Sequence, residues 1–265
     1  MDLQGKVVVI TGASSGIGLE MAKEFAREGC HVAMGARGED RLEEARTQVE
    51  EASSGKAEAL SVVADVQDER QVRALVDAAH SRWGRVDVLV NNAGWGAFKP
   101  FVDTSTAEVR DQMETNYFGA VYGTKAALEH MMPQRSGHII NIASIAAKVS
   151  TPNLAAYSAT KAALDSLSMG LRAELARYNI HVTAVHPIPT RTNFTRNPGF
   201  TEREQKGTNL FGQKPEAVAK AVVRAVKKPR AEVYPQPGTR VIPLVRTVLA
   251  PLVRLGLRGI ARIYQ

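Results

Sequence analysis

The chain holds a single cysteine, Cys30, in 265 residues, so no internal disulfide can form. Its opening Met-Asp-Leu-Gln-Gly-Lys lacks the basic-then-apolar layout of a secretory signal, and both features fit a reducing cytoplasm. None of the six histidines falls in H-x-H or H-E-x-x-H spacing, and one cysteine cannot build a zinc site, so the pattern asks for no metal. An uninterrupted apolar run of membrane-spanning length is also missing, because Arg and Pro break the C-terminal segment every few residues. There is no low-complexity tract and no repeat of solenoid period. The composition, 44% hydrophobic and 23% charged, is that of an ordinary globular chain, of a length that suits one α/β domain.

Acid is scarce at one end. After Glu232 none remains, while Arg240, Arg246, Arg254, Arg258 and Arg262 supply five of the seven excess positive charges. Elsewhere basic residues alternate with acids, as in Arg41-Leu42-Glu43-Glu44 and Glu202-Arg203-Glu204, and no aromatic stacking platform accompanies them. This argues against a nucleic-acid-binding protein, and no nucleic acid is expected as a partner.

What is present is a rhythm. Short Val/Ile/Ala runs alternate with amphipathic segments to about residue 235, the pattern of stacked βαβ units and a doubly wound parallel sheet. Strands are predicted over 6–11, 31–36, 57–63, 86–91, 138–143 and 181–186, each apolar enough to be covered on both faces. Helical spacing joins them, with later helices over 105–135, 154–178 and 215–227. Residues 187–214 break the rhythm with three prolines and read as a long functional loop, a lid over a pocket, carrying Phe194, Phe200 and Phe211. Residues 236–265 form a separate tail, whose apolar positions and arginines at 254, 258 and 262 give an amphipathic helical pattern with a basic stripe, broken at Pro251. It reads either as a helix over the substrate cleft or subunit interface, or as a peripheral membrane contact.

The first predicted strand runs through Thr11-Gly12-Ala13-Ser14-Ser15-Gly16-Ile17-Gly18 directly into a helix. Glycines there let the backbone approach a pyrophosphate, and the free N–H groups at the helix start favour the anion. The spacing is G-x-x-x-G-x-G rather than G-x-G-x-x-G. At the end of the second strand an acid would hold a ribose 2′-hydroxyl and an arginine a 2′-phosphate. Arg37 stands there, with no acid before Glu39, so NADP(H) is expected over NAD(H). Further on, Tyr157 and Lys161 are four apart, hence on one helix face, with Ser144 at a strand end. An ammonium beside a phenol would favour its ionised form by roughly 1 to 3 units, making the pair an acid–base device.

Together these motifs resemble the short-chain dehydrogenase/reductase family, in its compact single-domain branch, over about the first 235 residues. Thr11 to Gly18 is similar to its cofactor turn, Asp65-Val66 to its acidic pair near the adenine, and Asn91-Asn92-Ala93-Gly94 to its N-N-A-G segment. Asn116, Ser144, Tyr157 and Lys161 match its catalytic tetrad. The resemblance implies that Tyr157 exchanges a proton with the substrate oxygen and that Ser144 hydrogen-bonds that oxygen. Lys161 would lower the tyrosine pKa and hold the nicotinamide ribose, and Asn116 a water leading to Lys161. It further implies cofactor contacts at Gly12, Ser14, Ser15, Gly16, Ile17, Gly18, Arg37, Asp65, Val66, Asn92, Ala93, Gly94, Tyr157 and Lys161, with Pro187, Ile188 and Thr192 beside the nicotinamide. A homodimer or homotetramer is implied too, with the Tyr157 helix at the interface. One departure is visible: where the family has Pro-Gly, this chain reads Pro187-Ile188, which implies altered nicotinamide contacts and a reshaped substrate side.

The expectation is thus an NADP(H)-dependent oxidoreductase moving hydride between the nicotinamide and a carbonyl or secondary alcohol, on a small molecule made lipophilic by the composition of the loop and tail. A cofactor-binding regulator that does no chemistry is the alternative on the same fold. An epimerase or dehydratase of the extended fold would need a longer C-terminal substrate domain.

Overall fold

The computed structural model describes residues 2–248. The Val/Ile runs form one sheet of seven parallel strands: β1 (Val7–Thr11), β2 (His31–Ala36), β3 (Ala59–Val63), β4 (Val88–Asn91), β5 (Gly137–Ile142), β6 (Ile180–Val185) and β7 (Glu232–Val233). Their order is β3-β2-β1-β4-β5-β6-β7, with the chain reversing direction of travel between β1 and β4. Six strands lie where the apolar runs predict them, to within two residues at each end. β7 has only two residues and no run to announce it. The inner strands are buried along almost their whole length, whereas the edge strand β3 is half-exposed, so its apolar character is not that of a strand covered on both faces.

Helices α1 (Gly16–Arg27), α2 (Glu39–Ser53), α3 (Glu69–Trp83), α4 (Thr106–Met113), α5 (Gly119–Gln134), α6 (Ala155–Leu175), α7 (Glu202–Phe211), α8 (Pro215–Lys227) and α9 (Ile242–Val248) are the α-helices of the described residues. Strand side chains alternate between two cores. Val8, Ile10, Val32 and Met34 pack with Met21, Phe25, Leu42 and Val222 of α1, α2 and α8. Val7, Val9, Leu89 and Ile139 pack with Leu75, Val76, Met131 and Leu175 of α3, α5 and α6. Cys30 is buried, and burial pushes its thiol up to about 12, which leaves it an inert core residue.

Two expectations are corrected. The helix predicted over 105–135 is divided by a π-turn at Glu114–Phe118, between α4 and α5. Residues 187–214 are not a structureless loop, because a 3₁₀ turn at Asn193–Arg196 and α7 order them. α7 has no buried residue to give it an apolar stripe, and it starts on a capping box between Thr201 and Glu204. Of the predicted tail, α9 opens the amphipathic pattern. Residues 249–265, with Pro251 and the arginines at 254, 258 and 262, lie outside the described residues, and so does the tail's reading as a cleft cover, interface or membrane contact. Among the described residues no helix is long and apolar enough to cross a membrane.

The bottom of the sheet is tied by Asp87, which is 1% exposed. Val7 N–H donates to it at 3.0 Å, Arg85 to both of its oxygens at 2.6 Å, and the Lys6 ammonium lies 3.3 Å away. Burial alone would raise this carboxyl, but the hydrogen bonds from Arg85 and Val7 and the two positive charges outweigh it, so the group sits below the usual carboxylate range. Asp87→Asn should therefore cost about 2 kcal/mol at pH 7. A depressed carboxyl stabilises above its unfolded pKa of about 3.9, so the gap to wild type should narrow as pH falls below 4. Urea unfolding at pH 7 and pH 3.5 measures both.

Candidate active site

At the carboxyl end of the sheet, a cavity of about 980 Å³ opens over the reversal between β1 and β4. Its floor is made by the tight meeting of two strand ends. Gly12 has φ +66°, and a Cβ on it would lie 2.9 Å from the Ala93 Cα; a methyl on Gly18 would overlap the Gly12 carbonyl. Thr11 Oγ1 accepts from the N–H groups of Asn92 and Ala93, at 3.0 and 3.1 Å. The Asn92 amide donates to the carbonyls of Thr11 and Gly12, at 2.9 and 3.1 Å. Asn92 thus braces the glycine turn with its side chain. Ser15 occupies the N-cap of α1, yet its hydroxyl caps nothing, and the helix start faces the cavity.

All the residues predicted to contact a cofactor line this one cavity: Gly12, Ser14 to Gly18, Arg37, Asp65, Val66, Asn92, Ala93, Gly94, Tyr157, Lys161, Pro187, Ile188 and Thr192. Arg37 is exposed at the end of β2, and Arg41, one turn into α2, joins it on the same wall. Arg41 escaped the sequence reading as a site residue, although its spacing of four from Arg37 was there to see. Asp65 accepts from the Gln67 N–H at 3.1 Å, and Val66 is buried against Gly119. Ile188 has no positive φ, so its backbone is unstrained without the family's glycine, and only its side-chain bulk differs. The Thr192 methyl lies 3.1 Å from where a Cβ on Gly16 would stand, so the 187–214 segment touches the glycine turn.

Ser144 lies two residues beyond β5 in extended conformation, and its hydroxyl accepts from the Ala146 N–H at 3.1 Å. Tyr157 and Lys161 project from the first two turns of α6. Burial pushes the Tyr157 phenol up to about 12, against a hydrogen bond with Ser144 that pulls it down. Burial pulls the Lys161 ammonium down to about 8. Burial, and not the Lys161 ammonium, sets the net direction of the tyrosine. The Lys161 Nζ donates to the Ile142 carbonyl at 2.9 Å and stands 5.8 Å from the ring centroid, and among the described residues no buried anion pairs with it.

Asn116 lies behind the cavity wall, in the π-turn. Its Oδ1 accepts from Trp95 N–H at 2.9 Å, and its amide donates to Trp95 O and Thr160 Oγ1, at 2.8 and 2.9 Å. Gly94 keeps a gap open beside it: a Cβ there would stand 2.9 Å from Asn116 Oδ1 and 3.2 Å from Lys161 Nζ. Gly96 does the same for the tyrosine, since its Cβ would stand 2.6 Å from the Tyr157 ring. On the open side Trp95, Phe98, Val149, Leu154, Phe194 and Phe200 complete an apolar wall. Phe194 packs 5.5 Å from the Tyr157 ring, and Phe98 and Phe200 pack 5.2 Å apart, centroid to centroid. Neither Trp95 nor Phe98 carries a sequence signal of its own.

A parallel sheet with a glycine-rich turn and an uncapped helix start at its switch point, facing a Ser/Tyr/Lys group, defines a nucleotide-binding oxidoreductase of Rossmann type. Residues 6–202 match the family model described as short chain dehydrogenase, and the chain belongs to that family. Among curated relatives it is 38% identical over 241 residues to dehydrogenase/reductase SDR family member 7B of Xenopus laevis, covering 87% of this chain and 74% of that one. It is 36% identical over 234 residues to the 3-dehydrosphinganine reductase of Danio rerio, covering 84% and 69%. Among solved structures, a short chain dehydrogenase/reductase from Burkholderia phymatum in complex with NAD superposes with a TM-score of 0.84 at 26% identity, over 95% and 96% of the two chains.

The residues present fit a dinucleotide. The backbone at Gly12 and Gly18 leaves no room for side chains where a pyrophosphate would approach, and α1 offers free N–H groups there. Gly18→Ala should push the turn apart against the Gly12 carbonyl. It should weaken nicotinamide dinucleotide binding by about tenfold or more while leaving the thermal transition within a few degrees, as read by cofactor fluorescence and calorimetry.

Proposed function

We propose that the protein is an NADP(H)-dependent reductase or dehydrogenase interconverting a ketone and a secondary alcohol of a lipophilic small molecule. The observation that carries this reading is the gathering of Ser144, Tyr157 and Lys161 in the same cavity as the glycine turn. Arg37 and Arg41 flank the end of β2 with no acid between Ala36 and Glu39, which supports a 2′-phosphate there. The apolar wall from Trp95 to Phe200 supports a lipophilic substrate, and the relative named for 3-dehydrosphinganine agrees with reduction.

When bound, the nicotinamide supplies or accepts the hydride. Tyr157, raised to about 12, is protonated at neutral pH and hands its proton to the carbonyl oxygen as that oxygen gains charge. Ser144 donates a hydrogen bond to the same oxygen and fixes its place. Lys161 carries its proton through neutral pH and stabilises the phenolate that Tyr157 becomes. In the reverse direction the phenolate takes the alcohol proton. The phenylalanines of 187–214 keep water from the reacting carbon. The same reading carries a homodimer or homotetramer, for which Phe118 and Met169, 38% and 66% exposed, are apolar contacts available beside α5 and on α6.

The test titrates NADPH and NADH by fluorescence, then follows 340 nm absorbance over a panel of apolar ketones. NADPH should bind more tightly, and Tyr157→Phe should cut turnover by about 10²- to 10⁴-fold with cofactor affinity unchanged. Absence of binding to either nucleotide would overturn the reading. The pH dependence is a separate check. Ketone reduction by the free enzyme should decline above pH 8 as Lys161 loses its proton, and Lys161→Met should remove that limb from the kcat/KM profile.

A further inference from the structure

Beneath Ser144 lies a second polar cluster that the proposed chemistry does not use. His186 follows β6 directly, is fully buried, and stacks on Tyr234 with 4.9 Å between centroids. Its Nδ1 lies 3.2 Å from the Ser144 carbonyl oxygen, and its Nε2 is 3.4 Å from Asp165 Oδ1 without making a hydrogen bond. Asp165 and Glu232 are joined by Lys148, whose Nζ donates to them at 2.7 and 2.8 Å, and the Tyr234 hydroxyl donates to Glu232 at 2.8 Å. Asp165, His186 and Glu232 are grouped closely enough to suggest metal ligands, but the Lys148 ammonium already supplies the cation.

The protonation of the imidazole follows from its partners. A carbonyl oxygen can only accept, so the Nδ1 contact requires a proton on Nδ1. Nε2 is then the bare nitrogen, in keeping with its making no hydrogen bond to Asp165 at 3.4 Å. A second proton is opposed by burial and by the Lys148 charge, and favoured by Asp165 and Glu232; burial prevails, and His186 is held below the usual histidine range. The contacts therefore favour a neutral imidazole protonated at Nδ1, whose one donor goes to the backbone of Ser144.

The Ser144 carbonyl also accepts from Ala147 N–H at 3.0 Å, within the turn itself, so His186 is its second donor and the one that comes from outside the turn. Ile145 N–H donates to Pro187 O at 2.9 Å, and Lys148 anchors the far end of the 3₁₀ turn Ile145–Ala147 through Asp165. Tyr157, Lys161 and Asp165 are spaced four apart on α6, so one stripe of the helix holds Tyr157 above and the serine turn below. We propose that His186 is a positioning residue for the reaction: its Nδ1–H pins the Ser144 carbonyl, so that the serine hydroxyl stays beside the Tyr157 phenol. This rests on the reductase reading for its consequence in turnover, but not for the tautomer.

The experiment has two arms on the full chain. Nitrogen-15 NMR of the wild-type imidazoles should show one buried histidine, lost in a His186 variant, protonated at Nδ1 and bare at Nε2 at pH 7.5; an Nε2–H tautomer or an imidazolium would overturn the proposal. In steady-state kinetics His186→Leu, which fills the space without a donor, should lower kcat by about 10- to 100-fold with the NADPH dissociation constant within about twofold of wild type. His186→Asn, whose amide can donate where Nδ1 does, should return kcat to within about threefold of wild type. A leucine variant at full kcat, or an asparagine variant no better than leucine, would overturn it. Should the wild type reduce nothing in the ketone panel, the proposed function fails instead, and the tautomer alone decides the role of His186. That arm needs no folded leucine variant.

Discussion

The site depends on how closely the ends of β1 and β4 approach. Gly12 and Gly18 clear the backbone of side chains, and Thr11 and Asn92 then stitch the two strand ends together through four hydrogen bonds. Because the sheet reverses its direction of travel between these two strands, the closeness creates a cleft whose floor is rigid backbone. A floor of this kind binds through N–H groups and a helix start, which cost no side-chain ordering when a ligand arrives. Much of what stands above it follows neighbouring strand ends, Arg37 after β2, Asp65 after β3, Ser144 after β5 and Pro187 after β6, while α6 brings Tyr157 and Lys161.

Over that floor, burial dominates the electrostatics. It raises Tyr157 and lowers Lys161, so each group favours its uncharged form more than it would in water. The pair is an acid ready to give a proton and a base-like amine that still holds one near neutrality. Charge that appears on the phenol during reaction is met at short range in a medium that screens it poorly, which is where a fixed ammonium is most effective.

Most of this was legible from the chain, and the gaps have physical causes. The inner strands announce themselves because a strand covered on both faces must be apolar throughout, and the Gly, Ser, Tyr and Lys positions because their chemistry demands those residue types. β7 escapes because two residues carry no period. α7 escapes because none of its side chains is buried, although Thr201 and Glu204 carry its capping signal. The net direction of the tyrosine shift was not legible, because the spacing of Tyr157 and Lys161 says nothing of how deeply each group sits. Nor could sequence place His186, whose surroundings, Ser144 with Lys148, Asp165 and Glu232, come from three separate stretches of chain.

The contact between Thr192 and Gly16 joins two parts that the sequence keeps 176 positions apart. One belongs to the segment that shapes the substrate wall, the other to the turn that grips a nucleotide. The wall therefore has no hinge of its own on that side: it leans on the grip. A change that re-aims 187–214 toward a bulkier substrate displaces its support at the glycine turn as well. On the proposed function, substrate choice and cofactor retention should then be coupled, an altered specificity registering in the Michaelis constants of both.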